Sequence, residues 1–84
     1  MNDKKIKVER VQTGVRMEKR MLKVLKAMAE FHEISLGDLL EGIVLHAFEG
    51  QSPFNEKQTK RIQALKKIYE MDYGVSAAHN LIEE

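Results

Sequence analysis

The stretch RVQTGVRMEKRMLKVLKAMAEF, residues 10–31, changes its rhythm halfway, and that change constrains the fold more than any other feature. Val11, Thr13, Val15 and Met17 alternate with Arg10, Gln12, Gly14 and Arg16. From Met21 onward the apolar residues return every three or four positions. Period two is the pattern of a half-buried strand, and period 3.6 that of an amphipathic helix. The reading is a strand over residues 8–17 followed directly by a helix over 18–33. No second strand signal of comparable length follows. A lone strand presents a row of unpaired N–H and C=O groups, which is costly without a partner. The partner expected here is the same strand of a second copy, antiparallel about a two-fold axis.

Two further helices are expected. Ser35 is a good N-cap, with Asp38 three residues later, so a second helix runs over 36–49. Leu36, Leu39, Leu40, Ile43, Val44, Ala47 and Phe48 give it a broad apolar surface suited to contacts on two sides, and Gly50 suits the position after its end. A third helix starts at Ser52-Pro53 or at Asn55 with Gln58, and runs to about Met71 on a thinner stripe of Ile62, Leu65, Ile68 and Tyr69. A turn at Gly74 and a short helical turn from Ser76 close the chain. The expected fold class is therefore mainly α, with one N-terminal strand. Residues 1–50 form a strand–helix–helix unit, and 51–84 a helical C-terminal extension.

A chain of 84 residues buries a limited fraction of its surface, so doubling is a natural way to enlarge its core. It has no cysteine, which removes disulfides and thiolate metal sites. The N-terminal MNDKKIKVER lacks the apolar core of a signal peptide, and no apolar run approaches membrane-spanning length. A cytoplasmic protein without a membrane role is expected. Phosphate-binding glycine loops, zinc signatures and nucleophile elbows are missing, and His32, His46 and His79 share no ligand spacing. The reading is a non-enzyme with no cofactor and no metal.

Charge points to a partner. Residues 1–20 hold seven basic side chains (Lys4, Lys5, Lys7, Arg10, Arg16, Lys19, Arg20) against three acidic ones, a surplus of four. Residues 21–50 hold two against five, and residues 51–84 five of each. A solvated basic tail would carry the same surplus. On the polar face of a strand, however, it is the footprint of a nucleic-acid-facing element. A two-stranded ribbon fits the major groove of DNA, where Arg pairs with guanine and Gln with adenine.

With the polar-faced strand, the four-turn helix and the Ser35-capped second helix together, residues 8–49 resemble the ribbon-helix-helix family of Arc- and methionine-repressor-like DNA-binding proteins. The resemblance implies a homodimeric, sequence-specific transcriptional repressor or autoregulator of double-stranded DNA, with higher-order assembly on DNA possible. It places base reading at Gln12, Gly14 and Arg16, to which Arg10 is added because Gly14 has no side chain. It places phosphate gripping at Ser35 and Leu36 through backbone N–H groups. Lys4, Lys5, Lys7 and Lys19 add non-specific attraction, and Val11, Thr13, Val15, Leu40, Ile43 and Val44 form the dimer core. In two departures, Gly14 stands where the family has a reading side chain, and Ile34 where it often has glycine. The alternative is an antitoxin-like protein whose residues 51–84 seize a partner protein, with DNA binding for autoregulation. A helical dimerisation module without nucleic acid is a third reading, which the basic segment disfavours.

Overall fold

Ser35 and Asn55 open their helices by the same chemistry: a short polar side chain accepts a backbone N–H that the first helical turn leaves unpaired. The structure is a computed structural model and describes residues 5–84. Three helices follow one another, α1 (Lys19–His32), α2 (Leu36–Phe48) and α3 (Glu56–Ile68), then a single 3₁₀ turn over Val75–Ala77. Ser35 Oγ accepts from Asp38 N–H at 3.0 Å. Asn55 Oδ1 accepts from Gln58 N–H at 2.8 Å, while Gln58 Oε1 accepts from Asn55 N–H at 2.9 Å, completing a capping box. This pair, rather than Ser52-Pro53, begins α3. Glu18 is the N-cap of α1 rather than its first residue; its carboxylate accepts from Arg20 and Met21 N–H.

All three helices end alike. Glu33, Gly50 and Glu70 stand in the left-handed region at φ 57°, 67° and 58°. The following residue in each case donates back into the helix: Ile34 N–H to Ala29 O at 3.0 Å, Gln51 to His46 at 2.9 Å, Met71 to Lys66 at 2.8 Å. These are Schellman closures. Glycine suits the position, and only the second closure has it. The third closure ends α3 at Ile68, short of Met71.

The expected strand over residues 8–17 is not there. No β-strand occurs among the described residues, so neither a strand nor a two-stranded ribbon precedes α1, and the fold is all-helical. The ribbon-helix-helix architecture is corrected accordingly. Alternation supplies the side-chain pattern of a strand, but inter-strand hydrogen bonds make one, and among the described residues no backbone hydrogen bond joins residues 5–17 to another segment. The apolar set is not on a buried face either: Val11 and Val15 are 78% and 77% exposed.

The core lies along α1. Val24, Met28 and Ala29 of α1 and Leu39 of α2 are its buried side chains, and Leu25, Ile43, Phe54, Ile62 and Leu65 pack against that cluster. Helix α1 contacts both α2 and α3, which do not contact each other. Helices α1 and α2 and the C-terminal extension, through Phe54, Ile62 and Leu65, thus share one core.

Candidate nucleic-acid interface

The positive surplus of the N-terminal segment is displayed rather than packed. Lys5, Lys7, Arg10, Gln12, Gly14, Arg16 and Lys19 are all exposed. A Cβ added at Gly14 would meet nothing within 4 Å, so the backbone there is open to an approaching surface. Lys4 lies outside the described residues.

Arg10 fixes where this segment runs. Its Nε and Nη2 donate to Glu41 Oε2 and Oε1, both at 2.9 Å, in a bidentate fork. The hydrogen bond from Arg10 holds the Glu41 carboxyl below the usual carboxylate range, and Glu41 in turn raises Arg10. Ser35, Asp38 and Glu41 recur at three-residue spacing along one side of α2. The fork therefore brings Arg10 to the side of α2 that carries its N-terminus. Of the two phosphate-gripping residues read from the sequence, Ser35 is exposed and Leu36 half-buried. Ser35 Oγ is spent on Asp38, which leaves the N–H groups of Leu36 and Gly37 as the helix's unpaired donors. Arg16 is not part of this grouping, being paired with Glu83 near the C-terminus. Gln12 has no hydrogen-bond partner among the described residues.

The residues expected in a dimer core divide. Ile43 is half-buried against the core cluster, Leu40 is half-buried, Val44 is exposed, and Val11, Thr13 and Val15 are exposed on the irregular segment.

A polar cluster that sequence reasoning missed lies beside this segment, where residues 18–20 meet 70–73. Glu18 Oε1 accepts from Tyr73 Oη at 2.6 Å and from Met21 N–H at 3.2 Å. Its Oε2 accepts from the Arg20 backbone N–H at 3.0 Å and from Arg20 Nε at 3.1 Å. Arg20 Nη1 reaches on to Glu70 O at 3.0 Å and Asp72 Oδ1 at 3.3 Å, and its guanidinium lies 5.4 Å from the centre of the Tyr73 ring. The Tyr73 hydroxyl, with the Arg20 N–H next, holds the Glu18 carboxyl down at about 2. Burial, then the Glu18 charge acting through the same hydrogen bond, pushes the Tyr73 hydroxyl up to about 12. The cluster straps residues 70–73, just after α3, to the start of α1. Its partners stand some fifty residues apart in the sequence, so neither periodicity nor spacing announces it.

No protein family, curated protein or solved structure matches this chain. Among the described residues no helix is long and apolar enough to cross a membrane.

Proposed function

We propose that this chain is a DNA-binding transcriptional regulator that works as a homodimer and engages double-stranded DNA through its basic N-terminal segment. The observation that carries the reading is the surplus of four positive charges in residues 1–20, whose residues 5–16 are exposed to solvent beside the N-terminal half of α2. Phosphate oxygens offer Arg10 and Arg16 the same charge-assisted pairing that Glu41, through a bidentate fork, and Glu83, through a single contact, supply within the chain. DNA thus competes with an internal carboxylate at each arginine. In this reading Arg10, Gln12 and Arg16 meet base edges, Gly14 allows close approach, the N–H groups at Ser35 and Leu36 meet a phosphate, and Lys5, Lys7 and Lys19 add charge.

The dimer rests on surface area. The chain exposes 7743 Å², where a compact monomer of this length exposes about 5,100 Å². Part of the excess belongs to the irregular segment. The rest includes Val44, Leu45 and Phe48, which stand 43%, 63% and 78% exposed on α2. A stable interface removes about 800 Å² per partner, well within this excess.

The test is fluorescence anisotropy on duplexes selected from a random pool and on scrambled controls, across a salt series. Arg16→Ala and Gln12→Ala should each lose about 1–3 kcal/mol on the selected duplex and little on the control. Lys5→Ala should weaken both alike and flatten the salt dependence. Glu41→Gln should tighten binding by releasing Arg10. Failure of the intact protein to bind any duplex at low salt removes the proposal.

A further inference from the structure

An apolar groove opens on the side of α1 that faces α3 and the C-terminal segment. Its volume is about 360 Å³. Met21, Val24 and Met28 form its floor, Ile62 one wall, and Met71 and Val75 the other. Met28 and Val24 are among the most buried side chains of the molecule, so the groove reaches the core. Three methionines give it a soft, adaptable lining. Three separate elements enclose it, which distinguishes it from the exposed outer face of α2.

The groove has one cation at its edge. Lys66 lines it, and the Lys66 Nζ sits 3.8 Å from where a Cβ on Gly74 would lie. Among the described residues no carboxylate lies within 4 Å of that ammonium. Gln63, also on the lining, adds an amide donor one turn earlier on α3. Tyr73 lines the groove too, but its hydroxyl is committed to Glu18. An apolar trough ending at an unpaired ammonium is complementary to a molecule with an alkyl body and a single anionic head. Small-molecule sites of about 300–1,000 Å³ with a few polar anchors are the usual pattern, and this volume suits a tail of about eight to twelve carbons.

We propose that this groove binds a medium-chain carboxylate, the alkyl tail lying among Met21, Met28 and Met71 and the carboxylate meeting Lys66 Nζ. The site is independent of the DNA reading, sharing no residue with it.

The probe is decanoate, kept below its micelle concentration, titrated into the intact protein carrying ¹³C-methyl methionine. The methyl signals of Met21, Met28 and Met71 should shift with one saturating isotherm while that of Met17, outside the groove, stays. Affinity should rise from octanoate to decanoate by up to roughly tenfold, as two more methylenes leave water. Lys66→Gln, a change on the rim that leaves the core intact, should weaken decanoate about tenfold and leave decanol unaffected. Ala77→Leu, which fills the groove, should abolish the shifts. Decanol or decylamine binding as tightly as decanoate would overturn the carboxylate assignment. Shifts spread over Met17 as well, or no shift short of micelles, would overturn the site.

Discussion

Helices α1 and α2 invert the usual relation between hydrophobicity and burial. Helix α1 carries five charged residues in fourteen, Lys19, Arg20, Lys23, Lys26 and Glu30, yet buries Val24, Met28 and Ala29. Helix α2 carries only Asp38 and Glu41 in thirteen, yet buries Leu39 alone. The difference lies in position. α1 has α2 on one side and α3 on the other, whereas α2 has α1 and nothing beyond. On α1, Val24, Met28 and Ala29 are buried and Met21, Leu22 and Leu25 half-buried, and of its large apolar residues only Phe31 stays exposed. The apolar residues of α2 run round more of the helix than one neighbour can cover. An apolar side chain is buried by what stands opposite it, and α2 has more of them than this chain has neighbours.

That comparison can be broken at its strongest point. Met28 is 1% exposed. Met28→Ala should cost about 2–5 kcal/mol in urea or thermal unfolding, the largest single loss in the molecule. A cost near zero would mean that α1 is not the centre of the core.

The strap from Tyr73 to Glu18 is the next test, because it secures the N-terminal end of α1 and has no counterpart on α2. Tyr73→Phe should lower the melting temperature by a few degrees near neutral pH. The pH dependence has a definite sign. Glu18 lies at about 2 in the folded chain against an ordinary 4.5, so its contribution is complete above about 4.5 and is lost as the pH falls towards 2. Tyr73 lies at about 12 against 10, so its contribution is complete below about 10 and is lost as the pH rises through 12. Glu18→Gln should flatten the acid limb of the stability curve, and Tyr73→Phe the alkaline limb. Limbs unchanged by either variant would dissolve the strap.

A smaller effect, of opposite sign, sits at the junction between α1 and α2. Glu33 holds φ 57°, a conformation that costs a residue with a Cβ and costs glycine little. Glu33→Gly should raise stability by about 0.5–1 kcal/mol in denaturant titration. A loss of stability would mean that the Glu33 side chain does more than occupy the turn.

The smallest folding effect belongs to the outer face of α2. Leu45→Gln should change the stability of the folded chain by no more than about 0.5 kcal/mol, since Leu45 is 63% exposed and lies outside the core cluster. Light scattering at micromolar concentration should nonetheless show the mass fall from dimer to monomer. A wild-type protein already monomeric there would remove the dimer. A cost from Leu45→Gln matching that of Met28→Ala would erase the contrast between the two helices.

The helices were legible because their signals are local. Ser35, Asn55 with Gln58, and Gly50 act within four residues of themselves, and α2 begins and ends within a residue of its expected limits. The C-terminal end of α3 was overestimated because Glu70, not a glycine, takes the left-handed turn. The candidate site was legible only as chemistry: the basic and amide side chains at 5–16 can be counted from the sequence, but the fork from Arg10 to Glu41 and the pair of Arg16 with Glu83 span 31 and 67 positions.

By itself, then, the sequence determined three helices, the Ser35 and Gly50 ends of α2 and the uneven charge, each of which depends on neighbours along the chain. Whether residues 8–17 are a strand depended on a hydrogen-bonding partner, which no side-chain pattern contains, and the fold holds them as an irregular exposed segment. The choice of α1 as the central helix, the strap on Glu18 and the groove beside Lys66 were likewise decided by tertiary packing, because each joins residues that only the folded chain brings within a few ångströms.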